Sequence, residues 1–345
     1  MLSRKIIAGA VAGSLIVPAS ALAEGIDFDF YGSLRIQYEA AEPKGFSSYD
    51  GFRDAYSRIG FRANAPIADD ISAFAQLEVP LDLANGKIQD PFNTADEDVR
   101  IGKLGLNTNF GTFAYGRDWL PYYNAIAYPV DMFSSFQSGF ATYTTFRESN
   151  SLMYYSPDFN GLSFAGSYSN NAGYGDADGS PDDRYQLTGS YSVADTTVSL
   201  GVDNPDGASN TRFYGLSLMH GMGPWYIGGK VEIVDSDQDA GAFGDDGDVA
   251  FNLFASYSVG QHTFKGMYAN VENYGEDVFH LGYDFQYNKS LMLFGEYYYE
   301  EKGTGAIPVE KARDTGSGNV GFGPSDADGP IGSNSVFMIG VRYDF

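Results

Sequence analysis

Val336-Phe-Met-Ile-Gly-Val-Arg-Tyr-Asp-Phe345 closes the chain, and its alternation decides the fold class. Phe337, Ile339, Val341, Tyr343 and Phe345 share one parity; Met338, Gly340, Arg342 and Asp344 share the other. Successive side chains of a strand point to opposite faces, so one face is apolar and aromatic and the other small or polar. Working back through the chain, Leu291 to Glu300, Phe279 to Tyr287, Val249 to Tyr257 and Ser33 to Glu39 repeat the pattern. Beyond the N-terminal leader, no segment carries a comparable helical stripe.

A soluble β-sandwich also alternates, but three features favour a membrane barrel. The runs approach the ~10 residues that a tilted membrane strand needs. The polar face carries charges at mid-strand, which a packed core would not tolerate and a wet lumen would. Tyr and Phe gather at strand ends, as in Glu296-Tyr-Tyr-Tyr299, where interfacial girdles belong. Link lengths alternate too. Short links fall at 65–69, 107–110, 157–160, 194–195, 221–224, 259–261 and 288–289, between long polar ones at 40–53, 83–96, 171–183, 235–247 and 302–332. Tight turns on one rim and long loops on the other predict an all-β, transmembrane antiparallel β-barrel of about sixteen strands, with both termini on the periplasmic side. Closure leaves no unpaired edge in lipid, and that strand number leaves room for an aqueous channel.

The N-terminus sets the compartment. Arg4 and Lys5 precede an apolar run from Ile6 to Val17, and Ala21 and Ala23 give the small-x-small pattern of a signal-peptidase site. Residues 1–23 read as a cleaved signal peptide and 24–345 as the barrel; the apolar run is too short for a membrane anchor. Removing 1–23 takes away two cations and no acid, so the formal charge moves from -24 to -26. With 26 Tyr and 26 Phe, this acidity does not indicate disorder, and it argues against a nucleic-acid partner. With no cysteine, stability rests on backbone pairing and packing.

One passage carries a family resemblance. Phe110-Gly-Thr-Phe-Ala-Tyr-Gly-Arg117, a long insertion, and Arg147-Glu-Ser-Asn-Ser-Leu-Met-Tyr-Tyr-Ser-Pro157-Asp-Phe-Asn-Gly161 are similar to the pattern F-G-x-x-x-x-G-R, inward-folded third loop, R-x-x-N-S-x-x-Y-x-S-P-x-F-x-G of the general diffusion porins of Gram-negative bacteria. Arg100-Ile-Gly-Lys-Leu-Gly-Leu106 resembles the strand before it. The resemblance spans essentially the whole mature chain. It implies an outer-membrane channel for ions and small hydrophilic solutes, a homotrimer, contact with lipid and lipopolysaccharide, and no cofactor. It also implies that Val341, Tyr343 and Phe345 form a terminal signal read by the barrel-assembly machinery.

The link from Asp118 to Phe146 is too long for a tight hairpin, and long links in compact folds are usually functional. In the family it narrows the pore, its acids facing a basic wall. The candidate wall is Arg35, Arg58, Arg62 and Arg100 on inward parity, with Arg147 after the loop. The sequence departs from the family on the acidic side. Asp131 is the only acid inside the loop, with Asp118 at its edge, whereas aromatics are plentiful. Most of these pack the loop, and Tyr122, Tyr123 and Tyr128 are candidates for a sugar track. A solute-selective channel for oligosaccharides or organic acids is therefore the alternative. Asp235-Ser-Asp-Gln-Asp239 begins like an EF-hand loop, but Ala240 replaces the required Gly, so no metal site is assigned. An outer-membrane barrel enzyme would need a His beside a nucleophile or acid. Of His220, His262 and His280 only the last has clear inward parity, and no catalytic residue is assigned.

Overall fold

The computed structural model describes residues 25–345 other than 92–98, 144–145, 176–180, 206–209, 238–244, 273, 304–305 and 308–331. The expected signal peptide and parts of the long links lie outside the described residues. Seventeen strand segments form one antiparallel sheet. They are β1 (Asp27–Glu42), β2 (Tyr49–Asp54), β3 (Ser57–Ala68), β4 (Ile71–Leu81), β5 (Ile101–Thr108), β6 (Gly111–Trp119), β7 (Arg147–Tyr155), β8 (Leu162–Gly175) and β9 (Pro181–Val193). There follow β10 (Thr196–Pro205), β11 (Arg212–Met222), β12 (Trp225–Asp235), β13 (Val249–Val259), β14 (His262–Val271), β15 (Glu276–Gln286), β16 (Leu291–Glu300) and β17 (Asn334–Asp344). β17 returns to pair with β1, Arg342 opposite Arg35, and the barrel closes.

β2 and β3 both pair with β1 and make one stave, which gives sixteen staves in all. Ser33 stands opposite Arg58 and Ile36 opposite Asp54, so one extra residue is inserted between the segments. Tyr56, at φ 67°, marks the bulge. An inserted residue switches the parity of everything after it and re-aims side chains. That is why Arg53, whose guanidinium lies 4.1 Å over the Phe136 ring, and Arg58, which lines the lumen, both point inward despite opposite parity.

The outer face is apolar and open. Leu200, Leu253 and Leu281 are 62%, 49% and 55% exposed. Aromatics flank such residues along a strand, as with Phe251 and Tyr257 on β13 or Phe279 and Tyr283 on β15. A continuous apolar band of this extent exceeds what a soluble protein leaves in water, and it fits a lipid-facing surface with two girdles. Tyr298, read with its neighbours as girdle, is instead fully buried on the inner face. Phe345 exchanges both backbone hydrogen bonds with Gly32 (2.9 and 3.1 Å). Its ring covers Gly32 so closely that a Cβ there would lie 2.4 Å away. Phe30 and Tyr343 flank it, with centroids at 5.7 and 5.8 Å.

Several links are shorter than the sequence suggests. β1 continues to Glu42 and β2 starts at Tyr49, so the first long link shrinks to 43–48. The strands also break at 206–211 and at 272–275, where alternation alone marks no link.

Candidate functional site

The segment from 120 to 146 joins β6 to β7, and its described residues pack against side chains of β1, β9, β11 to β13 and β16. It opens on Leu120-Pro121, makes a π-helical turn at Tyr123–Ala127 and a 3-10 turn at Tyr128–Val130, then runs irregularly to Tyr143. Ile126, Phe136 and Tyr143 are at most 1% exposed and belong to one apolar cluster with Phe213, Phe254, Tyr298 and Met338 of the wall. Glycines let its backbone come close. A Cβ at Gly228 of β12 would lie 2.0 Å from the Pro129 carbonyl oxygen, and one at Gly215 of β11 would meet Tyr122 and Ile126 at 2.5 and 2.6 Å.

A non-helical segment leaves backbone groups that must find partners when buried. The wall supplies them. Gln186 accepts the Tyr122 N–H at 2.9 Å, and Gln37 the Phe136 N–H at 2.8 Å. Glu296 accepts the N–H groups of Ser134 and Ser135 at 2.8 and 3.2 Å. Carbonyls accept in turn from Ser217 (Ala125, 2.6 Å), Tyr226 (Pro129, 2.8 Å), Tyr56 (Phe136, 2.9 Å) and Asn252 (Ala141, 2.9 Å). The bulge at Tyr56 thus has a use: its ring also stacks on Phe136, centroids 5.3 Å apart. Many inward polar residues that the sequence assigns to a wet lumen are in fact dry anchors. Glu296 is buried between Lys265 (3.2 Å) and His280 (3.0 Å), and the His280 ring stacks on Phe133 at 3.5 Å. Lys230 and Glu232 form another fully buried pair.

On the opposite side of the segment lies a cavity of about 560 Å³. Arg35, Arg58, Arg100, Arg147 and Arg342 line it from the wall, and Tyr123, Tyr128, Asp131, Phe140 and Phe146 from the loop. Four of the five arginines proposed from sequence meet here. Arg62 lines an adjoining space of about 470 Å³ with Asp118, which is paired to Lys103; Arg58 and Arg100 border both spaces. Tyr122 is fully buried against β10 and β11 and takes no part, so of the three candidate tyrosines only Tyr123 and Tyr128 face the cavity. Asp131 accepts hydrogen bonds from Tyr123 (2.7 Å) and from Ser138. Burial, together with the Asp131 carboxylate, holds the Tyr123 phenol well above its usual pKa, so it remains a donor.

The acids are distributed differently from the family expectation. Glu78 and Asp90 sit among the arginines rather than across from them. Arg100, only 5% exposed, reaches Glu78 at 3.0 Å and Asp90 at 2.8 Å, while Arg147 approaches Asp90 at 3.4 Å and lies 4.5 Å over the Trp119 ring. Asp90 escaped sequence reasoning because it lies in a link read only as an external loop. Arg342 stands on the inward parity of the closing stretch and joins the arginine wall through the pairing of β17 with β1. Among the described residues no cluster of three or more His, Asp or Glu could hold a metal ion; positions 238–240 of the EF-hand-like stretch lie outside them.

A family model described as Gram-negative porin matches residues 8–305. The chain is 25% identical over 286 residues to outer membrane porin F of Xenorhabdus nematophila, covering 79% of this chain and 70% of that one. It is likewise 25% identical over 302 residues to a monosaccharide porin of a Halomonas species, covering 69% and 81%. Among solved structures, the anion-selective porin from Comamonas acidovorans superposes with TM-score 0.71 at 19% identity, over 93% of this chain and all of that one. The chain belongs to the Gram-negative porins, outer-membrane β-barrel channel proteins rather than enzymes.

Proposed function

We propose that the channel is a general diffusion pore for ions and small hydrophilic solutes, narrowed by the 120–146 segment at an arginine-lined constriction. The observation that carries this reading is the cavity itself, lined by five arginines with Asp90 paired among them and Asp131 on the loop side. The acidic external links attract cations to the mouth, and the constriction favours anions. The homotrimer, the lipopolysaccharide contacts and recognition of Val341, Tyr343 and Phe345 by the assembly machinery belong to this reading through family resemblance. The test is single-channel conductance in planar bilayers with a panel of sugars. Steady conductance unaffected by any sugar supports general diffusion. Saturable block by one sugar and not the others would replace it with a solute-selective channel, the reading favoured by Tyr123 and Tyr128 and by the name of the Halomonas relative. Absence of channel activity would remove both.

A further inference from the structure

Arg35 and Arg342 stand directly opposite each other on β1 and β17, on the inner face. Like charges facing across a strand pair destabilise a sheet unless something neutralises them. The wall does so only in part. Arg342 uses its Nε for Asp344 (2.7 Å) and Arg35 its Nε for the Ser33 hydroxyl (2.9 Å), while the neighbouring Arg58 gives its Nη1 to the Tyr56 carbonyl (3.1 Å) and sets its Nε 3.5 Å from Glu78. No described residue accepts from either terminal nitrogen of Arg35 or Arg342, or from Nη2 of Arg58. The acids of the cavity are engaged elsewhere: Asp90 by Arg100 and Arg147, Asp131 by Tyr123 and Ser138, Asp284 by Lys265 at 2.9 Å. Two guanidinium edges, those of Arg35 and Arg342, therefore open onto the cavity with both terminal nitrogens to spare, in the geometry that suits a bidentate carboxylate, and Arg58 adds its Nη2.

The loop side of the same cavity has a different character. Tyr123 lies 4.9 Å from Phe146 and 6.5 Å from Tyr128, ring centroid to ring centroid, and Tyr128 is 47% exposed. Aromatic faces recognise flat apolar bodies. A molecule satisfying both sides carries one carboxylate and one ring, and about 560 Å³ admits it together with water.

We propose that this cavity is a saturable transit site for aromatic carboxylates, the carboxylate on Arg35 and Arg342 with Arg58 alongside, and the ring against the half-exposed Tyr128, which Tyr123 and Phe146 back. The proposal rests on the constricted-channel reading and names its preferred solute class. The probe is sodium benzoate added to the purified full-length protein in planar bilayers at about 0.1 M KCl, with acetate (no ring) and benzyl alcohol (no charge) as comparisons. Benzoate should reduce single-channel conductance saturably, at concentrations about tenfold below those at which acetate acts, and benzyl alcohol should have no effect. Arg342→Ser should raise the half-effect concentration of benzoate and acetate alike. Tyr128→Ala should raise that of benzoate alone, and because Tyr128 is a half-exposed loop residue this variant does not threaten folding. Open channels in which benzoate acts no better than acetate would overturn the site and leave the channel reading standing. Failure of the wild type to conduct at all would overturn both.

Discussion

Gly228→Ala probes how the 120–146 segment is seated. The new Cβ would lie 2.0 Å from the Pro129 carbonyl oxygen, whereas ordinary contact begins at 3.4 Å. The obstacle is backbone on both sides, so loop and wall must part by about 1.4 Å, an overpacking that costs about 1–3 kcal/mol. The Tyr226 hydroxyl, which donates to the same carbonyl at 2.8 Å, would be pulled from its partner. A retreat of the loop from β12 carries Tyr128 and Asp131 into the cavity they line. A sphere of 560 Å³ is about 10 Å across, so one diameter shrinks by roughly one-seventh, with a fall of about 15% in single-channel conductance. The assay is conductance in planar bilayers beside the thermal midpoint of the folded barrel. Gly229→Ala is the control, because its Cβ would meet nothing closer than 3.7 Å. Wild-type conductance and wild-type stability in Gly228→Ala would refute this seating.

Glu296→Ala removes the acceptor of two loop N–H groups and leaves Lys265 with Asp284 as its one remaining carboxylate, so the thermal midpoint should drop by the equivalent of about 3–5 kcal/mol, read by heat-modifiable migration. Arg100→Ser should destabilise comparably, because Glu78 and Asp90 lose a buried partner; unchanged stability would mean that Arg100 is merely solvated. Deleting Phe345 uncovers Gly32 and removes the last outer-face aromatic, and it should depress the yield of folded protein far more than Asp237→Ala. Equal yields from the two would argue against a terminal signal.

Alternation made the staves legible, because lipid outside and polar groups inside impose opposite demands on successive residues. The inward placement of Arg35 followed from it. That of Arg58 and Arg62 follows in the same way along β3; what a parity count does not register is the Tyr56 bulge, a one-residue insertion through which Arg53, of opposite parity, also points inward. The fate of the inner polar face was also hidden. Gln37, Gln186 and Glu296 look like lumen residues, yet each caps loop backbone, since nothing local in a strand tells which inner residues a distant segment will cover. Tyr122 and Tyr123 are neighbours with opposite fates, because a helical turn rather than a strand sets their directions. Asp90 required knowledge of how a long link folds back.

The arginine constriction is tested most directly by the reversal potential across a KCl gradient, at low and high mean concentration, for the wild type and for Arg35→Ser with Arg58→Ser. Arg100 is the poorer choice because it is buried and doubly ion-paired. An ion crossing the narrow gap comes within about 4 Å of a guanidinium, between low-dielectric walls that leave little room for screening ions, so one charge acts with about 1 kcal/mol even at the dielectric of water, and oppositely on anion and cation. Removing one arginine should therefore change the permeability ratio roughly tenfold or more. The mouth acts over longer distances and is screened beyond about 3 Å in 1 M salt. The wild type should prefer cations in dilute salt, with that preference weakening or reversing in concentrated salt, while the double variant should stay cation-preferring at both. A double variant whose reversal potential in concentrated salt equals that of the wild type would contradict the arginine constriction.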